Sequence, residues 1–238
     1  MTKLYTFFAR QLDDQFWVEA QAEYDGRAVL RGDTTLMEPV LYSPVQGNTL
    51  YDVIGTTWSQ IHLYCKRFFD ALQSGGFTGW NSFAARIHGE DDKIIDSYRG
   101  LVVLGRCGPL DFRKAKLRWN PPELPQGRPY PVAAGPSLDI GSWDGNDFVI
   151  AQSTSFVLVT ERVRDALANM GIDGIRMTQL DEFEMMLIAL PEEERPAGWD
   201  CGGPLDSQDP NTRLSRPEPH HVHASGQSDR LPPKADDS

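Results

Sequence analysis

The residues with chemical potential are few and scattered. Cys65 falls at the expected first cap of a helix, where the dipole would lower a thiol pKa, but the only histidine near it in sequence is His62. His220, His221 and His223 could bind a metal, yet no ordered carboxylate or thiol stands at a ligand spacing beside them. There is no Gly-x-Ser-x-Gly for a nucleophilic serine, no Gly-x-Gly dinucleotide loop and no phosphate-binding lysine motif. Asp52 and Asp147 form one corresponding carboxylate pair, and Asp70 and Asp165 form another. Arg67 stands three residues before Asp70, as Arg162 does before Asp165. That spacing on a helix suggests two exposed ion pairs, each worth about 0.2–0.5 kcal/mol, rather than a catalytic dyad. Two acidic stretches are better suited to recognition: Glu90, Asp91 and Asp92, and the group Asp139, Trp143 and Asp144, in which an aromatic ring ringed by acids could anchor a partner.

The elements that must carry these residues come from a repeat. At an offset of 156 − 61 = 95, with no gap, Ile61 to Trp80 matches Phe156 to Ile175: Arg67 falls on Arg162, Asp70 on Asp165, Gly76 on Gly171 and Gly79 on Gly174. Asp52-Val53-Ile54 falls on Asp147-Phe148-Val149. Each copy reads as strand, short helix, strand. Phe156 to Val159 and Ile61 to Tyr64 are apolar runs. Thr160 is a good N-cap, and Val163, Ala166, Leu167 and Met170 keep the spacing of one buried stripe, matched by Phe68, Ala71 and Leu72. Gly76 and Gly171 stand where a helix favours a left-handed residue, and Gly79 and Gly174 turn the chain into a second apolar run. Further strands are expected at Lys3 to Phe8, Phe16 to Ala22 (helix being an alternative), Met37 to Tyr42 and Leu101 to Leu104. Glu184 to Leu190 fits either a strand or a short helix.

These elements imply an α+β fold of two similar lobes, each a strand–short helix–strand unit on a mainly antiparallel sheet. The expected organisation is a lobe over 1–119, a Pro-rich connector over 120–137, a lobe over 138–190, and a tail over 191–238 that is largely disordered. A length of 238 residues with 40% hydrophobic residues supports a proper core. The net charge of −11 argues against a nucleic-acid backbone as partner and suits a basic one. No run approaches the ~20 apolar residues of a membrane span, and the first ten residues lack the pattern of a secretory signal, so the cytoplasm is the expected location. Three cysteines without a CxxC pair point to reduced thiols, with no metal or other cofactor expected.

The run Trp143-Asp144-Gly145-Asn146-Asp147-Phe148, then Phe156 to Arg162, Asp165-Ala166-Leu167 and Gly171 to Ile175 resembles the C-terminal signature of an immunity-protein family of bacterial polymorphic toxin and type VI secretion systems, the eleventh-numbered of these families. The likeness is strongest over residues 143–180. It implies a non-enzymatic protein that binds and occludes a cognate toxin, with Glu90, Asp91, Asp92, Asp139, Trp143 and Asp144 as candidate contacts and no catalytic residues. Two other readings stay open: an enzyme or ligand-binding protein with its site between the lobes, and an adaptor that binds through its tail.

Overall fold

The 95-residue offset reappears in the backbone of the computed structural model, which describes residues 2–58, 60–89, 93–122, 129–152 and 154–196. Along the first half run β1 (Leu4–Ala9), β2 (Trp17–Ala20), α1 (Gly26–Leu30), β3 (Val40–Gln46), β4 (Val53–Thr56), β5 (His62–Cys65), α2 (Lys66–Ser74), β6 (Trp80–His88) and β7 (Ile94–Ile95). The second half continues with β8 (Tyr98–Val103), β9 (Gly105–Cys107), β10 (Leu110–Asp111), β11 (Lys116–Asn120), β12 (Tyr130–Ala134) and β13 (Ser137–Leu138). It closes with β14 (Phe148–Ala151), β15 (Val157–Thr160), α3 (Glu161–Asn169), β16 (Ile175–Gln179) and β17 (Glu184–Met186). Both ends of β4, β5 and α2, and the start of β6, recur 95 positions later in β14, β15, α3 and β16 (148 − 53 = 95).

The two helices end alike because their glycines meet the same requirement. Gly76 and Gly171 follow the last helical residues with φ of +61° and +58°, which a side chain disfavours and glycine adopts freely. The amides of Phe77 and Ile172 then return to the carbonyls of Leu72 and Leu167, closing a Schellman turn in each copy. Phe68 and Leu72 on α2, and Val163 and Leu167 on α3, enter one continuous core. Met170, expected on the buried stripe, is 42% exposed because it lies past the last helical turn.

Strand pairing extends the correspondence beyond what the sequence shows. One sheet contains the order β6-β8-β5-β4-β2, the other β16-β1-β15-β14-β9. Gly100 of β8 opposes Leu63 and Phe83, just as Thr6 of β1 opposes Leu158 and Thr178. β8 therefore corresponds to β1, at 100 − 6 = 94. Parallel pairing of β2 with β4 likewise matches that of β9 with β14. Each half thus begins with a strand that leaves it: β1 completes the C-terminal sheet, and β8 completes the N-terminal one.

The sheets differ in how they cover their outer faces. β6 runs to His88, and its last residues pair in parallel with Val40, Leu41 and Tyr42 of β3, which also pairs with β2. This closes a six-stranded barrel around Val18, Tyr42, Ile54, Leu63, Phe83 and Ile87, all buried. β16 stops at Gln179, four residues short of the end of β6 in register, so it lacks the segment that would receive a closing strand. The three-stranded sheet β11-β12-β17 covers the C-terminal sheet instead, through Leu4, Val149 and Leu158 against Ala133, Phe183 and Leu187. Burial on both faces explains why β14 and β15 are apolar at nearly every position.

The expected α+β fold of two similar lobes is overturned: the protein is mostly β, with a closed barrel and three α-helices among the described residues. Within the expected connector over 120–137, Tyr130 pairs with Asn120 at the end of β11, and β12 lies at the centre of its sheet. Pro131 is tolerated there because the pairing of β12 with β17 begins only at Val132. The segment from Glu184 is a strand to Met186 followed by a 3₁₀ turn over Leu187–Ala189. Residues 197–238 lie outside the described residues, which leaves the expected tail aside.

Gly79 has φ +81°, and a Cβ there would stand 2.3 Å from the carbonyl oxygen of Phe148, whereas a Cβ on Gly76 would meet nothing within 4 Å. Gly76→Ala should cost about 1–2 kcal/mol from backbone strain alone. Gly79→Ala should cost clearly more. Urea unfolding of both variants measures the difference.

Candidate functional site

The charged residues singled out by the repeat converge on the junction between the two sheets. Asp52 lies just before β4, and one carboxylate oxygen accepts from the amide of Asp173, 2.9 Å away in the C-terminal half. Its counterpart Asp147, before β14, accepts from the amide of Thr78, 3.0 Å away in the N-terminal half. The correspondence is reciprocal, since 173 − 78 = 95. Each carboxylate also receives a hydrogen bond from its own half: Cys65 Sγ to Asp52 Oδ1 at 3.0 Å, and Thr160 Oγ1 to Asp147 Oδ1 at 2.7 Å.

The arginines cross the same junction. Arg67 forms a two-pronged pair with Asp52 through Nε and Nη2, and also donates to the carbonyls of Met170 and Gly171 at the end of α3. Arg162 lies 3.9 Å from Asp147, donates to the carbonyl of Gly75 at the end of α2, and stacks 5.2 Å over the Phe77 ring. Positive charge therefore meets the carbonyl end of the opposite helix, where the helix dipole favours it. The expected pairs within each helix are not made. Asp70 binds Lys66 at 2.7 Å and Asp165 binds Arg164 at 2.8 Å, because Arg67 and Arg162 are already committed across the junction.

The same geometry opposes the lowering that a helix-cap position alone would give the Cys65 thiol. Its side chain makes no helix-capping bond. Burial pushes the thiol pKa up, and Asp52 beside it pushes it further, outweighing the lowering by the amides of Phe68 and Arg67. Burial also lowers His62 to about 4. Three positions apart along the chain, His62 and Cys65 leave opposite faces of β5, so no thiol–imidazole pair forms. Thr160 holds the N-cap position of α3, but its hydroxyl serves Asp147 instead of capping. Burial opposes the charged form of Asp52, yet the Arg67 hydrogen bonds, the Asp173 amide and Cys65 outweigh it and hold the carboxyl below its ordinary range.

The second candidate cluster lies at the edge of the C-terminal sheet. Asp139 accepts from the amide of Gly141 and starts a 3₁₀ turn over Ile140–Ser142. Asp144 accepts from the amide of Arg106 at 2.6 Å and from that of Asn146 at 3.0 Å, while Trp143 Nε1 donates to the Asn146 carbonyl. Trp143 is partly buried against the second core, so its ring is a base for the loop, and the apolar tip is Ile140, 52% exposed. The sequence reading missed Ile140 because one apolar residue in a loop has no periodicity to mark it. Glu90, Asp91 and Asp92 lie outside the described residues, as do His220, His221 and His223.

No group of three or more histidine, cysteine or acidic side chains is placed to hold a metal ion among the described residues. An open cleft of about 410 Å³, lined by Asp25, Arg27, Ala28, Arg31, Asp33 and Gln152, has Arg31 and Asp33 paired at 3.1 Å. No helix among the described residues is long and apolar enough to cross a membrane. No protein-family profile matches the sequence, and no significantly similar curated protein is found.

Removing a junction carboxylate and removing a surface one should differ. Asp147→Ala leaves the Thr78 amide and Thr160 hydroxyl without their acceptor and should cost about 1–3 kcal/mol. Asp165→Ala should stay within about 0.5 kcal/mol, as measured by urea unfolding. For pH, the depressed Asp52 carboxyl contributes stability that is present above the unfolded value of about 4 and lost as pH falls through the folded one. His62, lowered from 6.5 to about 4, binds its proton first in the unfolded chain, so stability also declines between those values. Urea midpoints should fall from pH 6.5 to 4 and again below it, with the lower part reduced in Asp52→Asn.

Proposed function

We propose that this chain is an immunity protein that binds a cognate antibacterial toxin with a basic surface and occludes it, performing no reaction itself. The observation that carries this reading is the pre-organised loop around Ile140. Hydrogen bonds from Gly141, Arg106 and Asn146 fix Asp139 and Asp144 on either side of an exposed apolar residue, and Trp143 is wedged beneath. A rigid apolar tip flanked by carboxylates loses little entropy on docking, and the acids speed encounter with a positively charged partner. The resemblance over residues 143–180 supports the same reading, since this loop opens the stretch that carries it. Glu90, Asp91 and Asp92 are retained as a second acidic contact.

A secreted toxin, if one is encoded beside the gene, is the natural probe. The purified chain should bind it one to one and protect cells that express it. Ile140→Arg, and separately the triple change of Glu90, Asp91 and Asp92 to Lys, should each weaken binding at least tenfold, about 1.4 kcal/mol, without moving the urea midpoint. A wild-type chain that neither binds nor protects would sink the proposal, and so would turnover of a small molecule by the purified protein.

A further inference from the structure

The reciprocal exchange of β1 and β8 has the form of a twofold interface between two copies of one module. A self-complementary interface requires that residue i of one copy meet residue j of the other, and j meet i. The junction satisfies this in three reciprocal pairs of hydrogen bonds. The carboxylate of Asp52 takes the Asp173 amide, and that of Asp147 takes the Thr78 amide. The guanidinium of Arg67 reaches the Met170 carbonyl, and that of Arg162 the corresponding Gly75 carbonyl. Arg10, just past β1, donates to the Gly174 carbonyl at 2.7 Å, and Leu104, just past β8, donates to the Gly79 carbonyl at 2.8 Å. The exchanged strands are antiparallel to both neighbours in each sheet.

The buried face has the same character. Phe7 on β1 pairs with the C-terminal sheet yet lies 6.0 Å from the Tyr64 ring and 6.2 Å from that of Phe68, both in the N-terminal half, as well as 5.8 Å from Phe148. Leu101, its counterpart on β8, is buried in the same core. One residue, Leu104, separates β8 from β9, too few for a hairpin, so the chain must pass straight from one sheet into the other. The covalent link between the halves is by contrast slight: Asp96 and Ser97, both exposed, join β7 to β8.

We infer that the chain is a tethered dimer of a self-recognising module, with residues 2–96 as one copy and 97–196 as the other. The association surface is the slot between β5 and β6, with α2 and the Asp52–Arg67 pair beside it, together with its counterpart in the other half. Its partner is a second copy of the same module. The tether at Asp96–Ser97 raises the effective concentration of the two copies but makes none of the contacts that hold them together.

The test uses the full chain with a site-specific protease sequence inserted between Asp96 and Ser97, the uncleaved protein serving as the folding reference. After cleavage the two fragments should stay in a 1:1 complex on native size exclusion. Separated in urea and remixed, they should regain the near-UV circular dichroism of the reference, which neither fragment shows alone. In the cleaved form Asp147→Ala should raise the dissociation constant at least tenfold. Fragments that part on cleavage, or that each regain their native signal alone, would overturn the inference. An insertion that unfolds the intact chain would contradict it equally, because it would give the tether a structural role.

Discussion

Two aspartates, each reaching from the foot of its own strand to an amide in the opposite half, set the relation between the halves. Asp52 and Asp147 are mostly buried, and a buried carboxylate is tolerated only where donors compensate for lost water. Here the donors come from both halves at once. Displacing one half from the other would strand the carboxylates, uncover the carbonyl ends of α2 and α3, and expose the face around Phe7, Tyr64, Phe68 and Phe148. Each of those side chains contributes about 1.5–3 kcal/mol when fully buried. Polar groups fix the register of the junction and the apolar face supplies most of its stability.

This arrangement explains why two copies of one strand–helix–strand unit yield a barrel on one side and a covered open sheet on the other. The shared interface constrains only the faces that meet. The outer faces were free to diverge, one by a longer β6 that receives β3 and the other by a segment between β9 and β14 that supplies β11 and β12, which β17, beyond β16, joins over the sheet. The Ile140 loop belongs to the same segment between β9 and β14. Its bonds to Arg106 and Gly108 anchor it to the neighbourhood of β9, so a recognition surface there rests on the same scaffold as the junction.

Much of the scaffold is legible in the sequence because it is local. Gly76, Gly79, Gly171 and Gly174 mark positive φ values, the stripe of Phe68 and Leu72 marks a buried helix face, and the single offset marks the duplication. Which sheet a strand joins is not local. Nothing in Leu4 to Ala9 says that its neighbours are residues 157–160 and 175–179, and the match of β1 to β8 lies in register rather than in residue identity. Arg67 and Arg162 illustrate the same limit. Spacing along a helix offers Asp70 and Asp165 as partners, while the folded chain supplies a carboxylate 15 positions upstream of each arginine and a helix end from the other half. The recognition loop was legible in its acids and its tryptophan but not in Ile140, whose exposure depends on Trp143 turning inward.

The exchange of first strands is tested most directly by cross-strand nuclear Overhauser effects. Contacts are expected from the backbone of Phe7 to Val157 and Met177, and from Gly100 to Leu63 and Phe83. Contacts from Phe7 to the β5 and β6 backbones, with Gly100 against β15 and β16, would place each strand in its own half and contradict it.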